Sequence, residues 1–305
     1  MMSTRRRLWI DVSLLVLVNT MWAAQYTAYK KATEQMGPVT VSVWTFVGAS
    51  LILLPFLKAH AGGHSWPSLR TVLMFAQLGL LGLIPSSACL AWGTALSTAS
   101  NAAILYLTIP VLTAILAPLM VGERMTLPRW ISLGVALGGV LILSAQDLRQ
   151  MNLAGQKYLK GNLLVLAACL SSAYFNVYTK GLLRRFSSIQ ILIFGYWSAV
   201  LLSVPLLVWA EPVTWQMIRS YTPVTWLSVA VLSLVSWGLA MVLFLYLLTR
   251  LDVTQASVSV YLLPFLGVLI AALTLGEPVT PPMIVGGLIT LAGTILITAL
   301  EPTTQ

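Results

Sequence analysis

Long apolar runs alternate with short polar segments along this chain. A helix needs roughly 20 apolar residues to cross the hydrocarbon of a bilayer, and ten runs approach or exceed that length. Helices are favoured over strands because backbone groups in lipid must be paired within each segment, and no run shows the alternation typical of a membrane barrel. The predicted membrane helices, which we number spans 1 to 10, are 9–30, 38–58, 70–92, 98–121, 127–146, 159–181, 188–209, 223–248, 253–275 and 280–299.

The composition supports the membrane class. Of 305 residues, 58% are hydrophobic and only 8% are charged, and the mean hydropathy is +0.90. Soluble domains carry about 25% charged residues, so a chain this apolar has the lipid bilayer as its solvent. The net charge of +9 comes from basic residues that lie between the apolar runs and form no stripe, which disfavours a nucleic-acid partner. The predicted fold class is an all-α polytopic membrane protein.

The second half of the chain repeats the first. A proline, a Gly-Glu pair and a second proline recur at one offset of 154 residues: Pro110, Gly122, Glu123 and Pro128, then Pro264, Gly276, Glu277 and Pro282. Spans 1 and 6 match at an offset of 149, which pairs Tyr29 with Tyr178. Repeat 1 is predicted at 1–146 and repeat 2 at 159–305, joined by a linker at 147–158. Because each repeat has an odd number of spans, five, the second enters the membrane from the opposite face, as in secondary transporters.

The orientation follows from the basic residues. Eleven of the 17 lysines and arginines fall in loops on the side of the N-terminus, so both termini are predicted to be cytoplasmic, in a bacterial inner membrane. The arginines at 5–7 followed by an apolar stretch are similar to a signal peptide. The apolar stretch continues past Trp22 without a clear cleavage site, so it is interpreted as a retained span.

The motifs carry a resemblance to a family. The two copies of P-x11-GE-x4-P, with the segment WAAQYTAYKKA at 22–32, resemble the drug/metabolite transporter superfamily in its ten-helix branch of two EamA-type repeats. The resemblance covers nearly the whole chain. It implies a small-molecule carrier, and many such carriers export amino acids and other metabolites, but it does not choose the substrate.

Neutral polar and aromatic side chains within the spans are the candidate substrate-binding residues. Buried amides and hydroxyls are costly in lipid unless they are paired, so they either bond between helices or face a water-filled cavity, and both interpretations stay open. Aromatic faces with a few neutral donors suit an amphipathic, uncharged or zwitterionic ligand, and the absence of mid-span Lys or Arg disfavours a phosphate. The candidates are Asn19, Trp22, Gln25, Tyr26, Ser86, Tyr106, Tyr174, Asn176, Trp237 and Tyr261.

Other residues are assigned to gating or structure. Pro110 and Pro264 lie mid-span in both repeats and are predicted to form a hinge or gate. Glu123 and Glu277 stand at membrane boundaries and are predicted to be structural caps, each for the helix that follows it. None of the eight acidic residues falls mid-span, which argues against a carboxylate proton relay and favours facilitated diffusion or exchange.

Gly134 and Gly138 form a GxxxG pattern in span 5. Such a pattern lets helices approach closely. A contact within the monomer is the favoured interpretation and a dimer face is the alternative, so monomer and homodimer both stay open.

Enzyme classes find no support in the sequence. It contains no Ser-His-Asp set, no HExxH, no phosphate loop and no dinucleotide fingerprint, and no metal or cofactor is expected. The predicted function is secondary transport, most of all export, of small amphipathic metabolites by alternating access at a midplane cavity between the repeats. Amino acids, including aromatic ones, are the leading substrate class. The alternatives are a multidrug exporter of lipophilic cations and a non-transporting assembly or sensor component.

Overall fold

All regular secondary structure in the residues that the structure describes is helical. These are residues 4–57, 68–96, 105–143, 156–266, 269 and 281–300 of a computed structural model. Six of the described helices are long and apolar enough to cross a membrane, and three shorter helices, Thr108–Met120, Leu127–Ile142 and Val253–Leu266, are also apolar. The predicted all-helical membrane class is therefore confirmed.

Every predicted span coincides with helix where it is described. Six spans are regular or nearly so: span 1 Thr4–Ala32, span 2 Pro38–Leu57, span 5 Leu127–Leu143, span 6 Gln156–Leu182, span 7 Ser188–Ala210 and span 10 Pro281–Ala299. Span 6 thus begins inside the predicted linker. A short helix at Trp215–Ser220, which the sequence did not suggest, precedes span 8.

The other four spans are interrupted. Span 3 is Leu69–Gln77, a π-helix at Leu78–Leu83, then Ile84–Leu96; span 8 is Pro223–Val231, a π-helix at Leu232–Ala240, then Met241–Leu248. The two π-helices start 154 residues apart, so the wider turn belongs to the repeat. Span 4 contains a turn at Leu107 before Thr108–Met120, and span 9 passes from Val253–Val258 into a 3-10 turn at Ser259–Tyr261.

The turn that follows span 1 has the same backbone pattern as the turn that follows span 6. Met36 N donates to Ala32 O just as Phe186 N donates to Leu182 O, both at 3.0 Å. The structural offset between these helices is therefore 150, and the offset of 149 read from the sequence is wrong by one residue. One residue turns a helical side chain by about 100°, so Tyr29 is not the counterpart of Tyr178.

Spans 5 and 10 contact each other through equivalent residues of the two repeats. A methyl group at Gly139 would lie 2.5 Å from Thr290 N, and one at Gly293 would lie 2.5 Å from Ala136 N. Thr290 Oγ1 donates to Ala136 O at 3.4 Å, and these two residues are themselves 154 apart. Gly139 thus meets the counterpart of Ala136, and Ala136 meets the counterpart of Gly139 as well as its own, which is the pattern of an approximate two-fold contact. The small side chains permit the close approach.

A second contact is also made twice, with its residue types exchanged. Gly48 of span 2 packs on Ser233 of span 8, and Gly79 of span 3 packs on Ser198 of span 7. Each serine hydroxyl donates to a carbonyl of the facing helix, Ser233 to Thr45 O at 3.2 Å and Ser198 to Phe75 O at 2.6 Å. This close packing therefore uses a glycine on one helix and a serine on the facing helix, and either repeat can supply either residue.

Among the described residues, the GxxxG pattern of span 5 makes no contact within the monomer. No described atom lies within 4 Å of a methyl group placed at Gly134 or Gly138. The helix turns its next residue, Gly139, toward span 10 instead. The pattern marks a face of small residues but not the direction in which that face points, and the expected contact is not found among the described residues.

Two adjacent glycines of span 5 test the contact with span 10. We expect Gly139→Leu to destabilise the protein by about 1–3 kcal/mol, because the new side chain would overlap the backbone of span 10. Gly138→Leu is the matched control and should leave stability unchanged or slightly higher, since it meets open space. Thermal unfolding of the purified variants in detergent measures both. Equal losses in the two variants would contradict this packing.

Candidate functional site

Asn19 connects span 1 to the break in span 9. Its side chain is fully buried, and Nδ2 donates to Ser259 Oγ and to Leu15 O, both at 2.8 Å. Its Oδ1 has no hydrogen-bond partner among the described residues. Ser259 begins the 3-10 turn of span 9. A buried amide oxygen is costly in lipid unless something bonds to it, so this atom is suited to bind water or a ligand.

Trp22 lies one turn further along the same helix. Its ring is 5.1 Å from that of Phe244 in span 8, at an interplanar angle of 57°. It also packs beside Val260 and Leu263 of span 9. Gln25 is half-buried on the next turn, whereas the side chain of Tyr26 lies outside the described residues. Spans 1, 8 and 9 thus meet at Asn19 and Trp22.

Trp237 organises a neighbouring aromatic group. Its Nε1 donates to Tyr29 OH at 3.0 Å, and its backbone carbonyl accepts from Tyr196 OH at 2.6 Å. Phe46 lies edge-on to Trp237 at 4.9 Å and stacks on Tyr196 at 5.2 Å. Tyr196 and Phe46 were not predicted from the sequence, because each stands near other aromatic residues of an apolar run and nothing singles it out. These polar atoms bond to one another, so this group acts as a scaffold beside Trp22.

The contact around Asn19 has a counterpart in the other repeat. Tyr106 and Leu105 of span 4 pack against Cys169 of span 6, and Cys169 Sγ donates to Leu105 O at 3.4 Å. Offsets of 150 and 154 relate this pair to Asn19 and Ser259. The same junction is therefore formed twice, once with an amide and a hydroxyl and once with a thiol and a backbone carbonyl. The junction at Asn19 is the more polar of the two.

The remaining candidates lie elsewhere. Tyr174 stacks on Tyr178 at 5.2 Å, and Tyr178 OH donates to Gln77 Oε1 of span 3 at 3.2 Å. Ser86 donates to Leu83 O of its own helix at 2.9 Å. Asn176 is buried in span 6, and Tyr261 is buried against spans 4, 5 and 10 with no hydrogen-bond partner for its hydroxyl among the described residues. The structure thus brings together Asn19, Trp22 and the Trp237 group, but does not gather all ten candidates.

Side chains can bond the backbone carbonyls that the interruptions of the helices leave free. Pro85 has no N–H to bond the carbonyl of Leu81, four residues before it, and Ser171 Oγ of span 6 donates to that carbonyl at 2.6 Å instead. Pro110 and Pro264 each stand three residues after an interruption, at Leu107 and at the end of the turn Ser259–Tyr261. Interrupted helices with freed carbonyls line many transporter sites. The hinge assignment of the two prolines stays a prediction.

Glu123 reaches a different helix from the expected one. The buried carboxylate accepts from Val253 N, from Thr254 N at 3.2 Å and from Thr254 Oγ1 at 3.0 Å, at the N-terminus of span 9. It does not cap the helix that follows it in the chain. Burial raises the pKa of this carboxyl, and the nearby charge of Asp252 raises it further. Glu277 lies outside the described residues.

Glu211 caps the N-terminus of span 2 in the same way, and this role was not predicted from the sequence. It accepts from Val39 N at 3.1 Å and from Thr40 N at 2.9 Å. A carboxylate at a helix N-terminus pairs backbone N–H groups that the helix leaves free. In both cases the capped helix belongs to the other repeat, which no spacing along the chain indicates.

Family comparison decides the class of this protein. A model of the EamA-like transporter family matches residues 9–145 and again residues 159–299. The chain belongs to the EamA-like transporter family. The superfamily prediction is confirmed, and this EamA transporter is a multi-pass membrane carrier of small molecules and not an enzyme.

Individual relatives agree with this assignment. The EamA transporter is 27% identical over 283 residues to a protein named probable terminal-alkyne amino-acid exporter from Streptantibioticus cattleyicolor, covering 93% of this chain and 91% of that one. It is 31% identical over 133 residues, 43% of this chain and 44% of the other, to an uncharacterized inner membrane transporter of Salmonella typhimurium. One solved structure, titled only as the crystal structure of a protein, matches with a TM-score of 0.75 and 18% identity over 95% of this chain and 97% of that one. That likeness shows the fold.

Ser171 and its neighbour test how the EamA transporter tolerates the interruption of span 3. We expect Ser171→Ala to cost about 1–3 kcal/mol of stability, because the carbonyl beside Pro85 loses its donor in a buried place. Ser172→Ala is the control, since Ser172 is only half-buried. Thermal unfolding in detergent gives both values. If Ser171→Ala were as stable as its control, Ser171 would not be repairing the helix.

Proposed function

We propose that this EamA transporter exports small amphipathic metabolites, with amino acids as its first class of substrate. The observation that carries the proposal is the junction of spans 1, 8 and 9. There Asn19 Oδ1 is buried without a partner among the described residues, beside Trp22 and the interrupted helix of span 9. An amide, a hydroxyl and freed carbonyls can hydrogen-bond both the ammonium and the carboxylate of a zwitterion, and the indole supplies an apolar face.

The electrostatics favour a ligand without net charge. A carrier of lipophilic cations would need a carboxylate available in the membrane as counter-charge. Each acidic residue of the described ranges already has a partner. The pairs are Asp11 with Arg250, Glu34 with Lys31, Asp252 with Arg129, Glu123 with the start of span 9 and Glu211 with the start of span 2. The name of the Streptantibioticus relative supports the choice of amino acids.

Alternating access requires a particular relation between the repeats. We propose that spans 1–5 and spans 6–10 are inverted five-helix repeats that rock about the contact between spans 5 and 10. The loops sort into two ends in agreement with this. At one end residues 121–129 contact residues 180–184 and 248–253, and at the other end residues 35–40 contact residues 211–225.

The distribution of basic residues gives the orientation. The first of these ends contains Arg124, Arg129, Lys180, Arg184 and Arg250, and we name it the arginine-rich end. By the positive-inside rule it faces the cytoplasm, together with both termini. The membrane is the bacterial inner membrane, as the name of the Salmonella relative states for that protein.

Counterflow in proteoliposomes tests the substrate class. Vesicles preloaded with unlabelled amino acids should take up labelled ones in a saturable way without any ion gradient. We expect Trp22→Ala to lower this uptake about tenfold or more, because it removes an aromatic face from the binding site. Trp130→Ala is the matched control, since Trp130 is 44% exposed on the outside of span 5, and its uptake should be unchanged.

The outcomes separate the alternatives. If another metabolite moved and no amino acid did, the substrate class would be wrong while the transport function remained. If amino acids moved and Trp22→Ala and Trp130→Ala behaved alike in folded protein, the site would lie elsewhere. If nothing moved and a partner protein co-purified stably, an assembly or sensor component would be the better interpretation.

A further inference from the structure

Three buried charged side chains and the half-buried Lys180 meet at the arginine-rich end. Arg129 Nη2 lies 2.6 Å from Asp252 Oδ2, and the two side chains are 1% and 0% exposed. Glu123 is also buried, at the start of span 9 beside Asp252. Lys180 Nζ donates to two backbone carbonyls at the end of span 8, both at 2.6 Å. Two positive and two negative charges thus form a neutral cluster away from the candidate substrate site.

The cluster joins one repeat to the other. Glu123 and Arg129 come from repeat 1, on either side of the short connection between spans 4 and 5. Asp252 and Lys180 come from repeat 2, at the start of span 9 and the end of span 6. Gln255 extends the attachment to span 10, because its Nε2 donates to Ile297 O at 2.8 Å and to Leu300 O at 2.6 Å. Separating the repeats at this end would break the Arg129–Asp252 pair and the bonds from Glu123 to span 9.

The energetics of such a pair suit a contact that opens and closes. A buried ion pair gains little over the same two ions in water, because desolvation offsets most of their attraction. Moving both ions into water together therefore costs little free energy, whereas burying one ion without the other costs much more. The contact between spans 5 and 10 has the opposite character: it is made of small apolar residues and one threonine, with nothing to gain from water.

The Arg129–Asp252 ion pair has no charged equivalent at the repeat-related positions of the sequence. At the offset of 154, the counterparts of Arg129 and Asp252 are Met283 and Thr98, which carry no charge. Glu123 and Lys180, by contrast, have Glu277 and Lys30 as counterparts at offsets of 154 and 150. Packing of the two repeats does not by itself explain why charged residues stand at one end and neutral residues at the other.

We propose that the Arg129–Asp252 ion pair, supported by Glu123 and Lys180, is the latch of a gate that holds the arginine-rich end closed in the resting transporter. Opening this end exposes the cluster to water and separates repeat 1 from repeat 2 there. The latch does not touch the substrate, so it acts whichever metabolite is carried. Its failure and the failure of the amino-acid assignment are therefore separate results.

A distance measurement across the gate tests the latch. Spin labels on Leu127→Cys and Thr249→Cys place one exposed probe on each repeat beside the ion pair. The background has Cys89→Ala and Cys169→Ala, which remove the two native cysteines. In lipid nanodiscs the intact cluster should give one dominant short distance by electron–electron double resonance. We expect Asp252→Asn, and separately Arg129→Gln, to raise the ratio of longer to short distances by about tenfold or more, because each leaves a buried charge without its partner.

Three further variants distinguish a latch from a general loss of structure. The double variant Arg129→Met/Asp252→Thr copies the counterpart residues and leaves no lone charge, so it should return most of the population to the short distance. Glu34→Gln removes the exposed Lys31–Glu34 pair at the opposite end and should change nothing. Arg129→Lys keeps the charge but loses the planar guanidinium, so it should raise the ratio above that of the intact cluster but less than Arg129→Gln does, which provides a reading if the neutral single variants do not fold.

Several results would overturn the proposal. One is a broad distribution without a dominant short distance when the cluster is intact. Another is a distribution that Asp252→Asn and Arg129→Gln leave unchanged in folded protein, or one that the double variant opens as far as the single variants do. Where only Arg129→Lys folds, an unchanged ratio in that variant would overturn it.

Discussion

The contact between spans 5 and 10 is the interaction on which the rest of the structure depends. Gly139 and Gly293 bring two backbones together at positions that are each other's counterparts. Helices gain no hydrophobic energy from meeting in lipid, so close packing of small residues must hold the two repeats. Other contacts between the halves recur in both repeats, and the glycine–serine pairs of spans 2, 3, 7 and 8 show the same arrangement with the residues exchanged.

A second constraint explains where the helices are interrupted. In lipid each backbone group needs a partner, so an interruption persists only where another side chain satisfies the freed carbonyl. Ser171 does this beside Pro85, and Tyr196 does it at Trp237. Because the π-helices of spans 3 and 8 begin at equivalent positions, the interruptions belong to the repeat and not to local accident. Two of the interrupted helices, spans 8 and 9, border the proposed site.

The proposed substrate region and the proposed gate differ in charge. The proposed substrate region around Asn19 and Trp22 is neutral, whereas buried charges lie at the arginine-rich end. A neutral binding region can release a zwitterion as readily as it binds one. A buried ion pair, by contrast, stays excluded from water only while this end of the protein is closed. Binding and gating can then be altered independently by substitution.

The sequence by itself determined the membrane class, the helical spans, the internal repeat and the family. Apolar run length and duplicated prolines and glycines are local patterns, and lipid leaves the backbone few alternatives to a helix. Tertiary structure alone decided which faces meet. It corrected the offset between spans 1 and 6 by one residue, turned Gly139 and not Gly138 toward span 10, and gave Glu123 to span 9. It also paired Arg129 with Asp252 and placed Tyr196 on Trp237. These contacts join residues distant in the chain, and their partners are set by helix rotation and packing, which composition and spacing do not specify.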